Sequence, residues 1–237
     1  MNNNSKKRNI STFIILAIVL LVPGFLYITL NKIGSNQYLK LPVYGEKVLS
    51  GKMNRKMGRE IPDTVYHQIE PLTVFNANGE KVDFLNQDTV ITVVHLFAAQ
   101  DSGLSRTLLT NLKPVAERFK NVQKVKFYSI SLNPNESSED LEKIQQLYAK
   151  EFGPTWFIVR PDSAITEYVQ QNFLIDAHVN TDSTFSFSNN YLLIDTERRI
   201  RGFYDINANK EMERLEDEIK VQLVEEARNN PLKIEKK

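Results

Sequence analysis

Cysteine is absent from all 237 residues. No thiolate means no disulfide exchange, no Cys nucleophile, no thiolate-held metal and no iron–sulfur cluster. The absence does not fix a redox compartment, because a chain without thiols is compatible with either. An excess of charge of one sign is also missing. Thirty Lys and Arg stand against 29 Asp and Glu, for a formal net charge of +1, so nothing marks a nucleic-acid footprint. Glycine-rich phosphate cradles of the G-x-x-x-x-G-K-[ST] and G-x-G-x-x-G types are absent, which leaves nucleotide chemistry without support. No G-x-S-x-G occurs, and Ser102, Ser105 and Ser129 have no His at a motif spacing, so serine hydrolysis is not expected. Histidine is scarce: His67, His95 and His178 are the whole set.

Apolar residues are plentiful, at 41% with 13 Phe and 9 Tyr, enough for a packed core. The longest uncharged run is Ile10 to Leu30, preceded by Lys6, Lys7 and Arg8. Twenty-one helical residues span roughly 30 Å, the thickness of a bilayer's hydrocarbon core. The run is long for a signal-peptide core, no A-x-A site follows it, and there is no Cys for lipid attachment, so it is read as a retained anchor. The basic cluster on the short tail favours a cytoplasmic N-terminus. The expected organisation is a tail over 1–9, a transmembrane anchor over 10–30, an extended stalk over 31–63, a globular domain over 64–226 and a polar tail over 227–237. The location that follows is the cytoplasmic membrane, single-pass, with the domain on the periplasmic or outer side.

Within the domain, strand and helix signals alternate. Leu72–Phe75 and Lys81–Phe84 flank the turn pair Asn78-Gly79, a hairpin signal. TVITVVHLF, Thr89 to Phe97, reads as a central strand covered on both faces. Asp101 or Ser102 can cap a following helix whose Leu104, Leu108, Leu112, Val115 and Phe119 share one stripe, with Pro114 expected to kink or split it. Val125 to Leu132 is a second strand. A helix capped by Ser137 or Ser138 carries Leu141, Ile144, Tyr148 and Phe152. Trp156–Val159 reads as a doubtful short strand. A helix capped by Asp162 or Ser163 carries Ile165, Val169 and Phe173. Tyr191–Ile194 and Ile200–Tyr204 pair through a tight turn, and Glu211–Leu223 is a closing amphipathic helix. The fold class is α/β, a sandwich with a mixed central sheet.

Several segments resemble, in order, the Sco/SenC family. Leu41-Pro-Val-Tyr-Gly45 opens the match, followed by the Asn78-Gly79 hairpin and the strand ending His95-Leu-Phe-Ala-Ala99. Tyr128-Ser-Ile-Ser-Leu-Asn-Pro134, the helix Leu141 to Phe152, Trp156, and Tyr191-Leu-Leu-Ile-Asp195 through Ile200-Arg-Gly-Phe-Tyr-Asp205 complete it. The resemblance implies a thioredoxin-like fold behind one transmembrane helix, and a copper-handling or thiol-redox role in assembling cytochrome oxidase. It also implies a C-x-x-x-C loop and a distant His as copper ligands. At those positions this chain has Gln100, Leu104 and Phe187, or Asp101 and Ser105 if the first register shifts by one, and a serine beside Phe187 if the second loop slips. Two soft thiolates and an imidazole are thereby replaced by an amide and two hydrocarbons, which do not suit copper.

The vacated site is expected to be dry and inert, with Phe187 filling it and Phe185 and Tyr191 close by. No cofactor, no copper and no enzymatic activity are expected. The remaining reading is a binding or assembly factor for an envelope or respiratory complex, with a protein partner. The alternative is copper handling through substitute ligands, with His178 beside Asp176 and Asp182 as the candidate. His95 is expected to be a core histidine with a backbone hydrogen bond, and His67 a surface residue without a role.

Overall fold

The computed structural model describes residues 4–33, 40–56, 59–86, 89–99 and 103–229. The chain divides into two compact units, Met1–Leu39 and Lys40–Lys237. The first holds one helix, α1 (Asn4–Ile33), which takes Pro23 inside it. Its described side chains run from Ile15 to Thr29, and those from Ile15 to Ile28 include eleven large apolar groups open to solvent. Among the described residues, no helix is long and apolar enough to cross a membrane. The expected span, Ile10 to Leu30, extends past the described side chains at both ends.

The second unit starts well before residue 64. Part of the expected stalk is a two-stranded antiparallel ribbon, β1 (Lys47–Lys56) on β2 (Arg59–Tyr66), with a register shift between Leu49 and Met53. Seven strands then form the main sheet, in the spatial order β11-β10-β5-β6-β7-β3-β4. Strands β3 (Val74–Phe75) and β4 (Lys81–Val82) are the hairpin around Asn78-Gly79. Gly79 sits at φ +75 in its turn, where a side chain would be strained. Strand β5 (Ile91–Phe97) pairs in parallel with β6 (Val125–Ser131), and β6 with β7 (Trp156–Pro161). Strand β10 (Asn190–Ile194) runs antiparallel to β5, and β11 (Ile200–Asp205) antiparallel to β10. The sheet is therefore mixed. The short strand at Trp156 is real and lies between β6 and β3.

Every residue of β5 is buried, and the pleat sends alternate side chains to two separate cores. Val93 and Phe97 join Leu108, Leu112, Val115 and Phe119 of α2 (Leu104–Phe119) and Leu215 and Ile219 of α5 (Asn209–Asn229) on one face. Val94 and Leu96 join Phe84, Ile165, Val169 and Phe173 on the other. Helix α2 is continuous through exposed Pro114; the apolar stripe on both sides of the proline is seated on the sheet and holds the two halves in line. Its cap position is Gly103, without a side-chain cap, while Asp101 and Ser102 lie outside the described residues.

Helix α3 (Ser138–Ile144) starts as expected, with Ser137 Oγ accepting from the Asp140 amide at 3.0 Å, and helical turns follow it until the chain kinks at Gly153, φ 49 and ψ -122. The short α4 (Thr166–Tyr168) and its continuation to Phe173 have Ile165 at the cap position. Neither Asp162 nor Ser163 caps it; their side chains bond to each other instead, at 3.2 Å. Helix α5 runs to Asn229, three residues into the expected tail.

One buried cation ties three regions of this unit. Arg201, 2% exposed, donates to Asp195 Oδ2 at 3.1 Å and Glu225 Oε2 at 2.8 Å, and to the carbonyls of Pro42 at 3.0 Å and Leu41 at 2.7 Å. The β10–β11 turn, α5 and the segment opening the unit are thus held by one guanidinium. Its neighbour Gly202 is required by space, since a Cβ there would lie 2.2 Å from the Tyr204 hydroxyl.

Val94→Asp places an unpaired carboxylate between β5 and the second core. The expected cost is several kcal/mol, comparable to the stability of a whole domain. Chemical denaturation monitored by circular dichroism checks it; a parent-like midpoint contradicts the burial of β5.

Candidate functional site

The positions that the resemblance assigns to ligands lie in the chain between β5 and the first turn of α2, and in the connection before β10. The stem of the first loop is pinned from two sides. Ser105 Oγ donates to the Ala98 carbonyl at 2.9 Å and accepts from the Ala98 amide at 3.0 Å. Glu136, 7% exposed, accepts from Ser131 Oγ at 3.0 Å and from the Ala99 amide at 3.4 Å through one oxygen. The Ser105 hydroxyl is therefore fully engaged with backbone and offers no ligand. Gln100, like Asp101, lies outside the described residues. Leu104 is half-buried and packs against the α2 side of the core.

Phe187 closes β9 (Phe185–Phe187), whose partner is β8 (Ala177–Val179), with Phe187 opposite Ala177. Its ring is half-buried and touches both cores. A closed, dry plug is therefore not what the structure has: the ring covers the core edge and keeps one side in solvent. Removing it by Phe187→Ala is then worth roughly 1–2 kcal/mol, below the value for a fully buried phenylalanine. Tyr191 is the member of the aromatic group that is fully buried. Its hydroxyl donates to the Leu108 carbonyl at 2.5 Å, and burial pushes its ionisation far above the ordinary tyrosine value. Phe185 is half-buried against the opposite core.

His178 is exposed on β8. Asp176 and Asp182 are exposed as well. The Asp182 carboxyl is held below its usual range by bonds from the hydroxyl and amide of Thr184. Among the described residues, no group of three His, Asp or Glu side chains is placed to hold a metal ion. Hydrocarbon from Leu104 and Phe187 likewise does not fit copper.

The structure does join a Ser–His pair that no spacing motif reveals. His95 and Ser129 are directly opposite on parallel strands β5 and β6. Ser129 Oγ lies 2.6 Å from His95 Nε2, His95 Nδ1 lies 3.0 Å from the Leu96 carbonyl, and Trp156 Nε1 donates to Ser129 Oγ at 2.9 Å. A carbonyl only accepts, so Nδ1 carries the proton and Nε2 accepts from the serine hydroxyl. The chain runs Trp156 to Ser129 to His95 to Leu96, every donor with one acceptor. All three side chains are fully buried, so no substrate reaches them; this is a core brace. His67 also differs from expectation: it is half-buried, with Nε2 2.8 Å from the Asn172 carbonyl.

Burial lowers the His95 pKa to about 4, against a smaller opposing effect of the Leu96 carbonyl. Above the unfolded value near 6.5, both folded and unfolded states are neutral there and stability is complete. As pH falls from 6.5 to about 4, the unfolded state takes a proton that the native state refuses, so stability drops by about 3 kcal/mol in total. Urea midpoints between pH 7 and 4 check this, and His95→Gln, isosteric enough to keep a donor and an acceptor, is expected to flatten that part of the profile.

The sequence matches no protein-family model and no curated protein. Solved structures do match. A SCO1/SenC family lipoprotein from Bacillus anthracis superposes with a TM-score of 0.60 at 17% identity, over 66% of this chain and 95% of that one. BsSco, a member of the Sco family of cytochrome c oxidase assembly proteins, gives 0.58 at 15% identity, over 67% and 94%. The copper-bound Sco protein of Arabidopsis thaliana gives 0.51 at 19% identity, over 68% and 98%. The resemblance read from the sequence holds at the level of the backbone: the chain has the thioredoxin-like fold of Sco/SenC proteins, and it has that fold without a single cysteine.

Proposed function

We propose that the protein is a membrane-anchored, non-catalytic member of this structural group, acting by binding a partner during assembly of an envelope or respiratory complex. The observation that carries the reading is the pairing of an intact Sco-type fold with a chain that has no thiol. Copper capture through two thiolates and disulfide exchange both need atoms this protein lacks. The assembly role comes from fold likeness to proteins described as cytochrome c oxidase assembly proteins and is an inference by analogy.

Anchoring rests on the uncharged run Ile10 to Leu30 and on the uncovered apolar side chains of α1. Lys6, Lys7 and Arg8 orient the short tail to the cytoplasm and the folded unit to the outer side.

Metal analysis of the full chain in detergent, after incubation with Cu(I) and then Cu(II) and desalting, is expected to find well below one copper per chain. Stoichiometric copper surviving desalting overturns the reading in favour of substitute ligands around His178. The triple change Gln100→Cys, Leu104→Cys and Phe187→His is expected to gain copper. For the anchor, the protein is expected to stay in the membrane pellet through carbonate extraction with its first residues intact; a soluble species starting near Asn31 contradicts it.

A further inference from the structure

Helices commonly end on a residue in the left-handed conformation, and Gly is favoured there because a side chain costs free energy. The helical segment that closes at Phe173 ends instead on Leu174, at φ 56 and ψ 35. Leu85 shares that φ, but it is 8% exposed and packs into the second core, so burial offsets the strain. Leu174 is 40% exposed and belongs to neither core cluster among the described residues. A left-handed backbone and an exposed leucine coincide at one position, and among the described residues neither core cluster takes the leucine in. Local rules broken without internal compensation mark places where an outside contact supplies it.

Leu174 lines an open groove of about 560 Å³. Its apolar wall is Leu174, Ile175 and Phe203, and its polar wall includes Asp176, Ser188 and Asn190. The Phe203 ring is fixed from behind by Tyr44, edge to face at 5.1 Å. The Asp176 backbone and Ser188 bond to each other through amide, carbonyl and hydroxyl, which fixes the mouth. The exposed Asp176 carboxylate has no partner among the described residues, and no Lys or Arg lines the groove. A small molecule is normally enclosed by its pocket; this trough is open along one side and suits a length of chain.

We propose that the groove docks a peptide segment of a partner protein, with an aliphatic side chain against Leu174, Ile175 and Phe203 and an adjacent Lys or Arg paired with Asp176. The proposal rests on the reading of the chain as a binding protein, and it names the surface and the chemistry of the partner. The groove adjoins Phe187, which stands opposite Ala177 and immediately precedes the lining residue Ser188.

The test uses the full chain in detergent micelles, with empty micelles as the blank. A short fluorescent peptide centred on Leu-Lys-Leu is titrated by anisotropy, beside its Leu-Glu-Leu counterpart. Saturable binding of the Lys peptide is expected, weakened roughly tenfold by Asp176→Asn and at least as much in the Glu peptide. Leu174→Gly is expected to melt no lower than the parent and to lose the binding. A clear fall in the melting temperature of Leu174→Gly overturns the proposal, because the leucine then serves its own fold. Binding indifferent to both variants overturns the groove and leaves the binding-protein reading standing elsewhere. Absence of saturable binding by either peptide overturns the groove as well.

Discussion

Strand β5 has no solvent on either face, and that constraint organises the domain. Its seven residues divide their side chains between two cores, so α2 and α5 must cover one face and the segment around Phe84 and Phe173 the other. A polar side chain in such a strand is tolerable only when its hydrogen bonds close inside the protein. His95 meets that condition through Ser129 across the parallel ladder and Trp156 one strand further. The same two contacts fix the relative register of β5, β6 and β7, because a shift of one residue would turn the imidazole to the opposite core.

This brace holds the sheet through ordinary hydrogen bonds. The cores, the parallel ladder and the Arg201 cluster contain no group that copper or a disulfide would need to organise. The loop stem is held by Ser105 and Glu136, ordinary hydrogen-bonding side chains. Leu104 and Phe187 are half-buried and pack at the edge of the cores. Fold and site are separable here in a physical sense.

The sequence made visible whatever follows a strong period. The apolar run of β5, the stripe of α2, the Asn78-Gly79 hairpin and the turn between β10 and β11 are all where pattern places them. Features set by tertiary partners were hidden. Ribbon β1–β2 mixes lysines with valine and leucine and shows no clean alternation. Pro114 looks like a break, and only the seating of Leu112 and Val115 on the sheet keeps α2 whole. Of the candidate site, the absence of cysteine was plain from composition alone. The half-open setting of Phe187, the Ser129–His95 contact and the buried Glu136 were not, because each depends on which strands become neighbours.

Segment 40–46 looks like a mere lead-in, yet it occupies the margin of the main sheet. The Tyr44 amide donates to the Ile200 carbonyl at 2.9 Å, and the Arg214 guanidinium donates to the Phe203 carbonyl on the same outermost strand. Free carbonyls on a terminal strand invite a second molecule to extend the sheet. Two of them on β11 are already taken by the protein itself, one by main chain and one by a charged side chain that no neighbouring strand can mimic. The anchoring of Leu41 and Pro42 by Arg201 thus has an outcome beyond stability: it keeps the sheet from growing into a neighbour, which matters most for molecules confined side by side at high local density.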